Sequence, residues 1–165
     1  MRPLLLLLIA AALSCHSAAP APQFAHQDEC GNPILESNVW IELDGEAVQI
    51  LSPRSFVLRT SDGRNVEVTI PNLNEPFHPD ATEALGRLVK GRRISVLIPL
   101  SQLQSDHVLG DLLIPNSPNA STHLLRLGMA TFAEAPPYTL SNYTECLNRI
   151  AGRDAQRARV GVWRR

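Results

Sequence analysis

Residues 61–70 read SDGRNVEVTI, a stretch typical of a β-hairpin. The Asp-Gly pair near its start predicts a tight turn between two antiparallel strands. From Val66 to Ile70, apolar residues alternate with Glu67 and Thr69, which is the period of a strand with one buried face. A strand over residues 65–70 is therefore predicted.

Segments typical of strands also precede this turn: residues 39–43, 47–51 and 56–60. Asp44-Gly45 and Ser52-Pro53 predict the breaks between them. On the other side of the hairpin, residues 71–79 contain three prolines, which predict a loop without regular strand pairing. Two more strands are predicted further along the chain, at residues 94–100 and 107–114.

Three helices are predicted from apolar residues at helical spacing. The first is bounded by Asp80 as N-cap and Gly91 as C-terminal cap. The second is capped by Ser121 and ends at Gly128, and the third covers residues 141–159. In the third helix, the apolar stripe consists of Tyr143, Cys146, Leu147, Ile150 and Ala151.

This order of elements predicts an α+β fold that is mainly β. Counting the two segments before Ser52 as one strand, the chain has five strands, and the first helix lies between the third and the fourth. Such an order is typical of a small closed barrel of the OB type rather than of a sandwich. We therefore predict a five-stranded OB-fold barrel with three helices.

The first residues of the chain predict export. Residues 1–19 combine one basic residue, Arg2, with a short apolar run and a small-residue exit, as in a secretory signal peptide. The run is too short to span a bilayer. Cleavage before Cys15 would leave a lipid-carrying cysteine, so an envelope-anchored lipoprotein, a periplasmic protein and a secreted protein all stay open. Residues 20–37 then predict a tether, and residues 38–165 the folded domain.

The charge balance argues against a general attraction to nucleic acid. Without Arg2, fourteen basic residues face sixteen acidic ones. The basic residues crowd after residue 148, where we expect a solvated helix face. The five histidines show no ligand spacing for a metal, and no cofactor-binding motif is present.

Two cysteines follow the signal region, Cys30 and Cys146. In an oxidising compartment such a pair most simply predicts one disulfide bond, which would join the last helix to the segment before the first strand. Closing a loop of this length would contribute about 4–5 kcal/mol on the chain-entropy model. A pair of free thiols is the alternative.

Five stretches of the chain resemble the staphylococcal-nuclease-like family in order and spacing. They are residues 66–76, the predicted helix at 80–91, LGDL at 109–112, LLRLGMA at 124–130 and AQRARVGVW at 155–163. The resemblance covers most of residues 45–165. It implies an OB-fold barrel with helices, and active members of the family cut phosphodiester bonds with calcium.

The resemblance also implies where catalytic residues would lie. In the family, one metal-binding carboxylate lies in a Gly-Asp-Thr turn, and Arg54 occupies the matching position. The second metal carboxylate matches Asn74, and the general base matches Phe77. The two arginines that neutralise the phosphate match Thr69 and His107.

All five family roles are therefore missing on this register. A guanidinium repels the metal ion that a carboxylate should hold, and loss of both arginines removes transition-state contacts. Glu75 is the one acid near the expected base, and it lacks a metal partner. The sequence predicts a catalytically inactive domain with no metal and no cofactor. An active secreted calcium-dependent nuclease with an unconventional carboxylate set, including Glu75, is the alternative.

The predicted role is that of a binding or scaffolding module. The barrel face would present Arg54, Arg59, Thr69 and His107 to a protein partner or an acidic ligand. A nucleic acid strand stays open as that ligand, although the negative net charge disfavours it. A purely structural envelope lipoprotein is the remaining alternative.

Overall fold

The computed structural model describes residues 27–31, 39–114, 119–135 and 140–164. In this part of the chain the strands are β1 (Trp40–Ser52), β2 (Ser55–Thr60), β3 (Asn65–Thr69), β4 (Leu73–Asn74), β5 (Arg93–Pro99), β6 (His107–Leu109), β7 (Asp111–Leu113) and β8 (Thr131–Phe132). The helices are α1 (Ala81–Val89), α2 (Ala120–Arg126) and α3 (Asn142–Ala158). Short 3₁₀ turns are formed by Gln27–Cys30, Leu100–Gln102 and Gly161–Trp163.

Six of the strands form one curled sheet in the order β6-β3-β2-β1-β5-β7. Neighbours are antiparallel, except that β6 runs parallel to β3. Only Gly110 separates β6 from β7, so the two edges of the sheet belong to one stretch of chain and the sheet curls into a barrel. The predicted fold class, an α+β, mainly β OB-fold with three helices, is confirmed.

The predicted strand at residues 107–114 is wrong as one continuous element. At its start, Leu109 pairs with Thr69 of β3, whereas Asp111 pairs with Leu97 of β5. The chain changes partners at Gly110, whose amide donates to the Thr69 carbonyl at 3.1 Å. Two strands result because the two neighbours of this segment lie on opposite edges of the curled sheet.

β1 is also different from its prediction, because it runs without a break through Asp44-Gly45. Its first half pairs with β5 and its second half pairs with β2, and Gly45 belongs to both ladders. A Cβ atom on Gly45 would lie 2.3 Å from the carbonyl oxygen of Arg59. Gly45 therefore permits a close approach of two strands rather than a turn. The break expected at Ser52-Pro53 is present, between β1 and β2.

The interior of the barrel is filled from alternate strand positions. The largest fully buried side chains are Phe56, Leu58, Ile70, Leu73, Leu85, Ile98, Leu112, Leu124, Leu125, Val66, Val68 and Val89. α1 packs on this core through Ala81, Ala84, Leu85 and Val89. Each buried side chain of this size stabilises the fold by about 1.5–3 kcal/mol.

The helix caps agree with the sequence only in part. α3 is capped by Ser141, whose hydroxyl accepts from the Thr144 amide at 3.2 Å. α2 is capped by Asn119 rather than by Ser121, because the Asn119 side chain accepts from the Thr122 amide at 2.9 Å. Asp80 lies at the N-cap of α1 without a capping hydrogen bond from its side chain.

Residues 71–79 are not free of strand pairing as predicted. Leu73 and Asn74 form β4, which pairs with Phe132 and Thr131 of β8. Two-residue strands have too little periodicity to be visible in a sequence, because their pairing is created by the tertiary fold.

Cys30 and Cys146 form a disulfide bond between the first 3₁₀ turn and α3, which is the pairing that the sequence favours. The predicted signal peptide at residues 1–19, with Cys15, lies outside the described residues. So does the predicted tether at residues 20–37, apart from residues 27–31. No helix in the described part of the chain is long and apolar enough to cross a membrane.

Candidate functional site

The turn between β1 and β2 carries Arg54, the residue that the resemblance predicts at the place of a metal-binding carboxylate. Its guanidinium Nη1 donates to the carbonyl oxygen of Leu73 at 3.0 Å. The carbonyl of Arg54 accepts from the amide of Ile70 at 2.8 Å, and Ser55 is the register partner of Thr69. The structure therefore brings Arg54 together with the end of β3 and with β4.

β4 carries Asn74, and Glu75 follows it. Both side chains are exposed to solvent. The segment is held through its backbone, because Asn74 pairs with Thr131 of β8 and the Thr131 hydroxyl donates to the Glu75 carbonyl at 2.6 Å. An exposed amide and an exposed carboxylate thus lie next to the segment that the Arg54 guanidinium contacts.

Phe77 and His107 are the residues that the resemblance predicts at the places of the general base and the second arginine. Phe77 is half-buried and packs against the hydrophobic core, so its ring is part of the packing. His107 is exposed, and its Nδ1 lies 3.1 Å from Oε2 of Glu67, its register partner on β3. His107 is thus placed two residues along β3 from Thr69, beside the carboxylate of Glu67.

The charge pattern of this region is the reverse of that of a cation site. Arg54 brings a positive charge to β4, Thr69 and Asn74 are neutral, and Glu75 carries a negative charge next to β4. Divalent cations such as calcium require several oxygen ligands, mainly carboxylates. Within the described ranges, no group of three or more His, Cys, Asp or Glu side chains is arranged to hold a metal ion. The region can donate hydrogen bonds to an anion, through Arg54 and Asn74.

A buried polar network positions the loop that carries Asn74. Asn72 has a positive φ of 65° and is almost fully buried. Its Nδ2 donates to the Ala133 carbonyl at 2.7 Å and to Oε2 of Glu145 at 2.9 Å, and its Oδ1 accepts from Nδ2 of Asn148 at 2.7 Å. Asn148 in turn accepts from the Thr122 hydroxyl. The network connects the loop to α2 and α3, and no sequence motif predicted it.

Arg59 does not lie with the other residues of the predicted binding face. It stands near the opposite end of β2, about 16 Å along the strand from Arg54. There it lines a groove with Arg92, Arg93 and Glu46, which we call the arginine groove. Glu46 is the register partner of Arg59 on β2 and of Arg93 on β5. Arg92 and Arg93 were not predicted as part of a site, although three of the four residues at 90–93 are basic.

Asp111 is a buried acid that sequence reasoning also missed. Its Oδ1 accepts from the amides of Leu112 at 2.9 Å and Ser121 at 3.2 Å, and its Oδ2 accepts from the Ser121 hydroxyl. Burial raises the pKa of the Asp111 carboxyl to about 6, although the hydrogen bonds from Ser121 and Leu112 act in the opposite direction. Its hydrogen bonds to Ser121 attach the start of α2 to β7. Because the side chain is buried, Asp111 is not placed to contact a ligand.

Comparison with known proteins identifies the family of this chain. The family model described as staphylococcal nuclease homologue matches residues 58–165. The match begins in β2, after Arg54, and includes the positions of Thr69, Asn74, Phe77 and His107. No curated protein matches the chain. Since the matched region covers well over half of the sequence, the chain belongs to the staphylococcal nuclease homologue family.

Proposed function

We propose that this protein is an exported member of its family that has lost nuclease activity and acts as a binding or scaffolding module. The observation that carries the proposal is the hydrogen bond from the Arg54 guanidinium to the Leu73 carbonyl, 3.0 Å long. It directs a fixed positive charge to the segment where the family's chemistry would need a cation and its carboxylate ligands.

Replacing a metal-binding carboxylate by Arg54 would strongly disfavour calcium-assisted cleavage. Calcium-assisted cleavage uses the metal ion to polarise the phosphate and to bind the attacking water. Two arginines would then stabilise the charge that develops on the phosphate, and each such contact is worth about 3 kcal/mol. Thr69 is neutral and cannot supply that charge, and Nδ1 of His107 lies 3.1 Å from Oε2 of Glu67. The exposed carboxylate of Glu75 belongs to no group of three or more His, Cys, Asp or Glu side chains that could hold a metal ion among the described residues.

Two features support export and a binding role. The disulfide between Cys30 and Cys146 suits an oxidising compartment. The apolar run before Cys15 suits a signal peptide, with or without a lipid on that cysteine. With residues 20–37 as the proposed tether, the disulfide-bonded barrel would present its outer face to a partner.

The test is a cleavage assay with purified protein on single-stranded DNA, double-stranded DNA and RNA, with calcium and with EDTA. We expect no calcium-dependent product from this protein. An active family member, which should cleave under the same conditions, is the positive control. EDTA-sensitive cleavage that disappears in Glu75→Ala, and survives in the exposed helix variant Glu83→Ala, would establish the alternative of an active nuclease.

A further inference from the structure

The outer face of the barrel carries two neighbouring grooves that share Arg92 and Arg93. The arginine groove has a volume of about 470 Å³ and also contains Arg59 and Glu46. The second groove, of about 380 Å³, is lined by the aliphatic side chains of Leu88, Leu113 and Ile114 beside the same two arginines, with the exposed Glu42 as its one acidic lining residue. We call it the aliphatic groove. A positively charged surface and an apolar surface therefore adjoin each other.

The arginine groove keeps a positive excess. Arg59, Arg92 and Arg93 are exposed, and none of them forms an ion pair with another described residue. Glu46 lies between Arg59 and Arg93 in the strand register and offsets only one of the three charges. Guanidinium groups bind carboxylates in a two-pronged geometry that ammonium groups lack. The groove thus suits a ligand with more than one anionic group.

We propose that these two grooves together bind an acidic peptide segment of a partner protein, with an aliphatic side chain next to its carboxylates. The carboxylates would pair with Arg59, Arg92 and Arg93, and the aliphatic side chain would lie against Leu113 and Ile114. The proposal rests on the binding role inferred above and names the partner's chemistry.

The shape and lining of the grooves favour a peptide over other anions. Both grooves are open along the surface, whereas sites for small molecules enclose most of their ligand. Neither is lined by an aromatic side chain, so nucleic acid bases would find no ring to stack on. Aliphatic lining beside guanidinium groups matches an aliphatic residue flanked by glutamates or aspartates.

The experiment measures fluorescence anisotropy with the full chain and a labelled peptide of alternating glutamates around a central leucine. A second peptide has serine in place of the leucine. We expect Arg92→Ala/Arg93→Ala to bind the leucine peptide about tenfold or more weakly than the wild type. Leu113→Ser should weaken binding of the leucine peptide but not of the serine peptide. Arg157→Ala, which removes an exposed arginine on α3, is the matched control and should change nothing.

Three results would overturn the proposal. These are no binding of either peptide, equal binding by the wild type and the double arginine variant, and tighter binding to anionic lipid vesicles or single-stranded DNA through the same arginines. Peptide binding that is independent of Arg92 and Arg93 would remove this site but leave a binding role in place. Calcium-dependent cleavage would instead remove the proposed inactivity without bearing on the grooves.

Discussion

Gly128 and Gly161 pack backbone against backbone. The Gly128 carbonyl accepts from the Val162 amide at 2.9 Å, and a Cβ atom on Gly161 would lie 2.0 Å from that carbonyl oxygen. Both glycines have positive φ, at 67° and 55°. The end of α2 is thereby docked on the C-terminal turn, which joins two of the stretches that carry the family resemblance.

Replacing Gly161 by alanine should therefore destabilise the fold severely. The methyl group would overlap the Gly128 carbonyl, and the positive φ adds its own strain. We expect a loss of about 3 kcal/mol or more in the free energy of unfolding, measured by urea denaturation. Gly63→Ala is the matched control, because Gly63 has φ of 88° with no atom near its Cβ position and should lose only about 1 kcal/mol. Equal losses in the two variants would show that the contact does not matter.

The buried carboxyl of Asp111 should make stability depend on pH. Its pKa is about 6 in the folded state, against 3.8 for an ordinary aspartate. Below pH 3.8 the group is neutral in both states and costs nothing. Between pH 3.8 and 6 the unfolded chain releases the proton while the folded chain keeps it, so stability falls as pH rises. The loss from this group amounts to about 2–3 kcal/mol by pH 7.

Asp111→Asn should remove that dependence and raise stability at pH 7. The amide can keep the three contacts, because its Nδ2 donates to the Ser121 hydroxyl, which can turn to Asn119 Oδ1 at 3.0 Å. The test compares unfolding free energies of variant and wild type at pH 4, 5, 6 and 7. The difference should widen with pH up to about 6 and then stay constant. A difference that stays constant over this range would show that Asp111 has an ordinary pKa.

The fold could be predicted where the signal is local. Alternation at residues 66–70 and helical spacing at residues 81–89 identify β3 and α1, because burial of one face imposes the period. Gly45 misled the prediction, since glycine serves both turns and close approaches of strands, and only the tertiary structure decides between them. Ser121 resembled a cap, but Asp111 engages its hydroxyl, and this acid lies ten residues away in sequence.

The candidate sites divide in the same way. Arg54, Thr69 and Asn74 could be singled out from the sequence because the resemblance matches them to family positions along the chain. The arginine groove could not be predicted, because it depends on the register that places Arg59 of β2 and Arg93 of β5 on either side of Glu46. Nothing in the linear sequence joins these residues, which are far apart in the chain.

Asn72 should be sensitive to substitution for two separable reasons. Alanine would remove its three hydrogen bonds, would leave the buried Asn148 without one of its partners, and tolerates positive φ less well than asparagine does. We expect Asn72→Ala to lose about 3 kcal/mol in unfolding free energy. Asn72→Gly relieves the backbone strain but not the lost hydrogen bonds, so it should lose about 1 kcal/mol less. If both variants were as stable as the wild type, the network would have no role in holding the loop.

The disulfide between Cys30 and Cys146 should stabilise the protein mainly through the unfolded chain. The bond closes a loop with a sequence separation of 116 residues, which restricts the unfolded ensemble by about 4–5 kcal/mol on the chain-entropy model. In the folded state, the turn at Gln27–Cys30 packs on α3, with Glu29 3.9 Å from Arg153. A Cys30→Ser/Cys146→Ser variant should therefore keep the far-ultraviolet circular dichroism of the barrel while unfolding at lower urea concentration.

Reductant should shift the wild type to the same midpoint and leave the double variant unchanged, which controls for effects of the reductant elsewhere. Peptide mapping without reduction should recover the two cysteines in one cross-linked fragment. If both cysteines were recovered as free thiols in protein isolated from an oxidising compartment, the bond would be absent. The barrel would then depend on its core alone, because constraint of the unfolded chain requires the covalent link.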